Sequence, residues 1–198
     1  MRTLLFLGAA LFSGVAGCGG DPGPSDGSAG SDAPGSVGVD APFTPPDAGT
    51  GPCAAGPLAA PIPGCAPAVL PSTGDPAQDC VNRINQFRWE CQCMGPLGRW
   101  SAGEACASMD AEYDSTRTPH AGFTAGICNS GFAQNECPGW PSIPATIDGC
   151  LQQMWDEGPG PFATHGHYIN MTNPMYTEVA CGFYTTPGGQ VWAVQNFR

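Results

Sequence analysis

The chain contains eleven cysteines in 198 residues, and this count constrains the fold more than any other feature of the sequence. Cys18 follows a segment that is typical of an export signal, and removing it leaves ten cysteines that can pair completely. The ten are Cys53, Cys65, Cys80, Cys91, Cys93, Cys106, Cys128, Cys137, Cys150 and Cys181. In an exported protein this density is typical of a disulfide framework rather than of metal ligands. We therefore predict up to five disulfides, with no pairing fixed by the sequence.

Residues 1–17 predict a secretory signal, with Arg2 as its positive start and an apolar run from Leu4 to Phe12. The small residues 15–17 lead directly to Cys18, and this pattern resembles the lipobox of bacterial lipoproteins, in which the cysteine carries lipid and becomes the N-terminus. Gly19 follows, so the Asp signal for inner-membrane retention is absent. We expect anchoring in the cell envelope, at the outer membrane or cell surface; the alternative is an ordinary signal peptide with an incidental cysteine.

The charge of the chain excludes one large class of partners. There is no lysine, six arginines stand against 17 acidic residues, and the formal net charge is -11. A field of this sign repels phosphate backbones, so we expect no nucleic-acid binding.

The segment 18–75 is rich in Gly, Pro, Ser and Asp, and we predict that it is a disordered, lipid-anchored tether. Within it, Cys53 and Cys65 bracket a Pro/Ala-rich stretch. The plainest interpretation is a small disulfide loop 53–65, and a link into the following domain is the alternative. Periodic structure follows, so residues 76–198 are predicted to form the folded domain.

Three segments of this domain carry apolar residues at helical spacing. The stripes are Cys80, Ile84, Phe87 and Cys91; Cys106, Met109 and Tyr113; and Ile147, Cys150, Leu151 and Met154. On the first helix, Arg83, Gln86 and Glu90 are expected to face outward. Ser101 and Glu104 have the spacing of a capping box at the start of the second helix, and Gly158 is expected to end the third.

Two segments alternate at period two, as half-buried strands do. Their shared faces are Thr177, Val179, Cys181 and Phe183, and Val191, Ala193, Gln195 and Phe197. Between the second and third helices, residues 120–140 are loop-like with short strand potential, and Cys128 and Cys137 are close enough in sequence to pair. A Gly-rich approach leads to His165 and His167, which we expect at the mouth of the sheet. Helices and strands mix without a βαβ rhythm, which predicts an α+β fold.

The order of these landmarks, from Cys80 to Phe197, resembles the CAP superfamily of cysteine-rich secretory, antigen five and pathogenesis-related proteins, also called SCP-like domains. The matching motifs are Ile84–Arg88, Leu97–Ser101, His120, Ala133–Asn135, Met154–Glu157, Gly166–Asn170 and Val179–Gly182. Each motif is short, and their shared order is the specific signal.

This resemblance implies a three-layer α-β-α sandwich with an antiparallel sheet and a cleft that in some relatives holds a divalent metal. The cleft positions carried over to this chain are His120, Gln134, Glu157, His167 and Tyr168. Gln134 stands where relatives often have glutamate, and an amide is a poorer cation ligand and no general base. Glu136 is a candidate replacement if the strand is regular.

Imidazoles suit zinc or a similar ion, so His120 and His167 are the candidate metal ligands, whereas His165 lies outside the family signature. His120, Glu157 and His167 are also candidate catalytic residues that would activate a water. No nucleophile motif such as Gly-x-Ser-x-Gly is present.

The sequence favours a lipid-anchored, extracytoplasmic binding module for a small hydrophobic or extracellular ligand, because the resembled family includes proteins that bind sterols and other lipids. Two alternatives stay open. One is a metal-assisted hydrolase that uses the His/Glu cleft, and the other is an envelope or adhesive structural domain with a vestigial cleft. The membrane, through lipid on Cys18, is the expected partner in all three.

Overall fold

A computed structural model describes residues 42–46 and 53–198. The helices are α1 (Pro76–Gln86), α2 (Glu104–Asp114), α3 (Ala121–Ala125), α4 (Ile143–Ala145), α5 (Leu151–Asp156) and α6 (Phe162–Thr172). Wider π turns extend α1 through Phe87–Cys91 and join α4 to α5 through Thr146–Cys150. The strands are β1 (Gly98–Arg99), β2 (Ala133–Trp140), β3 (Glu178–Thr185) and β4 (Val191–Phe197). The predicted signal segment, Cys18 and most of the predicted tether lie outside the described residues.

The four strands form one sheet in the order β1-β3-β4-β2. β4 pairs antiparallel with both β2 and β3, whereas the two-residue β1 pairs parallel with β3. The predicted α+β class is therefore confirmed, and the sheet is mixed rather than purely antiparallel. β1 departs from the prediction because it is a short extension after α1, placed beside β3 by the Asn85 side chain, which bonds the backbone of Leu97 in both directions.

Helices cover both faces of the sheet, and the alternation of β3 decides which residues meet which layer. Val179 and Cys181 are buried with Ile84 and Phe87 of the α1 side. Gly182 faces the opposite layer, where a side chain would collide with the backbone of α2. The two predicted strands are confirmed, but the expectation that they are half-buried is wrong, because a helical layer on each side buries both faces along most of β3 and β4.

The first predicted helix is confirmed, and its outward face is correct for Glu90 but wrong for Arg83 and Gln86. Asp75 caps α1 by accepting the backbone N–H of Ala77 at 3.0 Å. Arg83 and Gln86 are buried, because the preceding chain crosses them and its carbonyls at Pro67 and Ala68 accept their hydrogen bonds at 2.8 and 2.7 Å.

The predicted stripe of the second helix is wrong in part. Met109 is 47% exposed, and the face turned to the sheet carries two acids beside small residues. That buried face is Cys106, Ala107, Asp110, Ala111 and Asp114. The capping box is also absent, since the Glu104 carboxylate pairs with Arg99 instead of capping α2.

All ten cysteines of the domain form disulfides, as the even count predicted. The pairs are Cys53–Cys93, Cys65–Cys91, Cys80–Cys181, Cys106–Cys128 and Cys137–Cys150. The predicted loop 53–65 is wrong, and so is a pair between Cys128 and Cys137. Five disulfides indicate a protein of the cell envelope or the extracellular space. Across residues 42–46 and 53–198, no helix has the length and apolarity needed to span a bilayer.

Residues 53–75 are part of the folded domain rather than of a free tether. Two disulfides attach the segment to the end of the first helix, and the backbone N–H groups of Leu58 and Ile62 bond the carbonyls of Gln92 and Cys91 at 2.9 and 2.8 Å. Its composition predicts disorder because few of its residues are large and apolar. The cysteines and these backbone bonds hold it instead.

Candidate functional site

Four of the five predicted cleft residues line one open cleft of about 620 Å³. It lies between the start of α3, β2, the end of α5 and α6. Its polar residues are His120, Gln134, Glu157, His167 and Asn170. Its aromatic residues are Phe123, Phe132, Phe162 and Tyr176. The fold thus brings together side chains from positions 120 to 176 of the chain.

Tyr168, the fifth predicted cleft residue, lies in the core instead. It is 4% exposed, its ring packs edge-on against Trp155 with 5.2 Å between the centroids, and its hydroxyl donates to Gln92 at 2.6 Å. The prediction fails because the segment is helical: one residue after His167, the side chain of a helix points about 100° away.

Glu157 and His167 form the more exposed polar pair of the cleft. His167 Nδ1 lies 2.5 Å from Glu157 Oε1, and Glu157 Oε2 accepts the backbone N–H of His167 at 3.1 Å. The Glu157 and His167 side chains are 23% and 35% exposed. Because Nδ1 is held by the carboxylate, Nε2 is the nitrogen of this ring that can meet a ligand.

A kink in α6 produces this arrangement, and His165 is its centre. The backbone of His165 is not helical, and its Nδ1–H donates to the carbonyls of Glu157 and Gly158. The helix restarts at Gly166, so the N–H groups of its new first turn point at the Glu157 carboxylate. The expectation of both histidines at the mouth of the sheet is therefore wrong for His165, which fastens the helix to the preceding turn.

His120 stands on the opposite wall in a left-handed backbone conformation, with φ of 63°. Its Nδ1 lies 2.8 Å from Gln134 Oε1. The Gln134 amide donates to Asp110 and to Asn196, both at 3.1 Å, which fixes its oxygen toward the imidazole. His120 Nδ1 must therefore be the donor, and its Nε2 is left to face a ligand.

Behind His120 lie three buried carboxyls, Asp110, Asp114 and Glu136. Glu136 Oε2 accepts the backbone N–H of His120 at 2.6 Å, and Asp114 accepts that of Gly122 at 2.7 Å. These two acids hold the turn that presents His120. Glu136 shares the face of Gln134 on a regular strand, but its side chain is 1% exposed, so it does not replace Gln134 as a cleft ligand.

Burial, reinforced by Asp114 and Asp110, raises the pKa of Glu136 to about 8, and burial likewise raises the pKa of Asp114. Asp114 Oδ2 and Glu136 Oε1 are buried without another hydrogen-bond donor. With a pKa of about 8, Glu136 favours its protonated form at neutral pH.

The cleft fits a divalent metal only in part. His120 and His167 would supply two imidazole nitrogens, each ring oriented by a side-chain oxygen in the way metal-bound histidines are. Among residues 42–46 and 53–198, the one set of three ligating side chains lying within 4.8 Å of one another is Cys106, Asp110 and Cys128. Those two cysteines are disulfide-bonded, so the set is not a metal site.

The structure also contains an apolar groove of about 330 Å³ that the sequence analysis missed. Its outer wall is the 69–76 segment, and its floor is α1 together with α4 and the turn after it. The apolar wall residues are Val69, Leu70, Pro71, Pro76, Ile143, Pro144 and Ile147. Val69 and Leu70 are 46% and 38% exposed, and Asn82, Arg83 and Gln86 supply polar groups.

A signal for this groove was present in the sequence. Val69-Leu70 is an apolar pair between prolines, in a segment that also carries Cys53 and Cys65. If these cysteines form disulfides with the domain, the residues next to them also lie against it. Val69 and Leu70 would then line a surface of the domain.

Comparison with known protein families matches residues 77–197 to CAP, the cysteine-rich secretory protein family. Comparison with curated proteins and with solved structures found no significant match. The family match covers more than half of the chain, and it contains the helices, the sheet and the whole cleft. The chain belongs to the CAP family of cysteine-rich secretory proteins.

Proposed function

We propose that this protein is an extracytoplasmic, lipid-anchored CAP module that binds a small apolar ligand in the groove between the 69–76 segment, α1 and α4. The observation that carries the proposal is the groove itself, whose exposed surface is mostly apolar. Its volume of about 330 Å³ lies within the range of small-molecule sites, which are concave, mostly apolar and carry a few polar groups.

A ligand in the groove would also account for the solvent exposure of two apolar side chains at its rim. Val69 and Leu70 lie at its rim, where the folded chain alone covers only part of their surface. A ligand that covers a leucine side chain contributes roughly 1–2 kcal/mol from that contact.

Binding of the fluorescent fatty acid cis-parinaric acid to the purified domain tests the proposal. We expect saturable binding that Leu70→Asp weakens by about tenfold or more, because it places a charge on the apolar wall. Ile127→Asp is the matched control, since Ile127 is 39% exposed against 38% for Leu70 and does not line the groove. Equal binding by both variants would contradict the assignment of the groove.

The lipid anchor is tested separately by mass spectrometry of the mature protein. Lipid on an N-terminal Cys18 is the expected result, and Cys18→Ser is expected to release the protein from the membrane fraction. An unmodified N-terminus at any other residue would rule out the anchor without affecting the groove.

A metal-assisted hydrolase is the second candidate, and one observation favours it. His120 and His167 line the same cleft with their Nδ1 atoms held, and Glu157 is the carboxylate beside them. A bound metal would supply polarisation of a water. Metal-free purified protein, or hydrolysis unchanged by His167→Ala, would exclude this candidate. If neither the groove nor the cleft binds a ligand, the remaining alternative is an envelope or adhesive structural domain with a vestigial cleft.

A further inference from the structure

We propose that the His/Glu cleft is a binding site for an alkylated ammonium group, a ligand different in kind from the one expected in the groove. The proposal rests on the side chains around the cleft rather than on its histidines alone. Aromatic faces and a carboxylate line it, and no positively charged arginine does.

The aromatic rim is the first argument. Phe132 and Phe162 are 77% and 65% exposed, an unusual state for side chains of this size, and both line the cleft. The Phe162 ring lies close over Gly166, so it stands at the wall that carries His167. Phe123 and Tyr176 complete four aromatic residues around one opening. Aromatic faces attract organic cations, and quaternary ammonium groups are commonly held by sets of such rings.

The charge of the site is the second argument. The chain has no lysine and a net charge of -11. Glu157 is partly exposed within the cleft, and Asp110, Asp114 and Glu136 lie behind His120. An anionic ligand would find no arginine or lysine among the residues lining this cleft, whereas a cation would meet a carboxylate and a negative field.

The third argument concerns how many ligating atoms the bound group needs at fixed positions. A simple metal ion needs several fixed oxygen or nitrogen ligands, and His120, Glu157 and His167 do not bring their ligating atoms within 4.8 Å of one another. A methylated ammonium group needs no hydrogen-bond donors or acceptors at fixed positions. A wide cleft of about 620 Å³ with apolar rings suits such a group better.

Isothermal titration of the intact protein with benzyltrimethylammonium tests this site, with 3,3-dimethylbutan-1-ol as a neutral compound whose branched end has the shape of a trimethylammonium group. We expect the cation to bind with a Kd of about 1 mM or tighter and the alcohol to bind about tenfold more weakly. Equal affinity for the two compounds, or no saturable binding of the cation, would overturn the proposal.

Variants locate the site. Phe132→Leu together with Phe162→Leu keeps the rim apolar but removes its aromatic faces, and we expect about a tenfold loss in affinity for the cation. Tyr113→Leu, an aromatic change outside the cleft, is the control and should leave affinity unchanged. If the Phe132/Phe162 variant keeps its affinity for the cation, the aromatic rim is not the binding site. Tighter binding of phosphocholine or of trimethyllysine, each of which carries the same group, identifies a lipid headgroup or a protein side chain as its natural source.

Discussion

The groove and the cleft are built in opposite ways, although both lie on one small domain. The cleft is made by β2, α3 and α6, all within the residues that match the family, and buried carboxyls support it from behind. The outer wall of the groove, from Val69 to Pro71, precedes the matched residues 77–197. The cleft therefore lies wholly within the family-matched residues, whereas the groove also needs a preceding segment that disulfides attach.

The largest effect is expected from the support of the cleft. Asp110 accepts hydrogen bonds from Ser130, Gln134 and Asn196 while fully buried, so Asp110→Ala removes the acceptor of three buried hydrogen bonds. We expect a loss of about 3–5 kcal/mol in the free energy of unfolding, measured by chemical denaturation. The control Glu112→Ala, on the exposed side of the same helix, should change it by less than about 0.5 kcal/mol. Similar losses for the two variants would contradict the claim that Asp110 stabilises the fold through its buried hydrogen bonds.

The second prediction separates the two cavities. Replacing Cys65 and Cys91 with serine removes a disulfide that attaches the groove wall, at a cost of about 2–4 kcal/mol in unfolding free energy. We expect this variant to lose cis-parinaric acid binding and to keep benzyltrimethylammonium binding.

The matched control replaces Cys106 and Cys128, which close a chain separation of 22 residues against 26. It should keep binding of the fatty acid to the groove. Loss of both ligands in the first variant would mean that the groove and the cleft are not independent.

The third prediction concerns pH. The folded pKa of Glu136, about 8, lies above its ordinary value of 4.5, so burial favours the protonated form. The stability that Glu136 contributes is fully present below about pH 4.5 and is lost as the pH rises toward about 8. Glu136→Gln keeps a neutral acceptor for the His120 N–H, and denaturation across this range should therefore show a smaller decline. An unchanged slope would exclude Glu136 as the titrating group.

The smallest effect is expected for Glu157, the carboxylate on the exposed side of the cleft. Because it is partly solvated, Glu157→Gln should cost about 1 kcal/mol or less in unfolding free energy. The same change should weaken benzyltrimethylammonium binding, since it removes the one carboxylate among the residues that line the cleft. A stability loss as large as that of Asp110→Ala would show that Glu157 is structural.

Patterns of apolar residues predicted the elements of the core. The stripe from Cys80 to Cys91 is correct because one side of that helix faces the main core, which leaves a helical period in the sequence. β3 was predicted as a strand, but helices cover both of its faces, so its burial does not alternate. Helix α2 is less regular, because its inward face carries Asp110 and Asp114, whose partners come from β2, β4 and the α3 turn. A buried acid of this kind depends on hydrogen-bond partners far away in the chain, so no local sequence pattern predicts it.

The cleft residues His120, Gln134, Glu157 and His167 were predicted through family resemblance, since their positions in the chain do not themselves show that they meet. Tyr168 was misplaced because the helical geometry of α6 was not recognised. The groove was missed because composition alone described residues 53–75 as a tether. Disulfide pairing cannot be worked out from spacing, and here the pairing decides that this segment belongs to the domain.

The most direct test of the groove as the ligand site is a nuclear magnetic resonance titration of the isotope-labelled protein with cis-parinaric acid. The proposed function predicts saturable shifts at Val69, Leu70 and Ile147, with the signals of His120 and His167 unmoved. Shifts centred on His120 and His167, with Leu70 and Ile147 unmoved, would contradict it and assign the apolar ligand to the cleft.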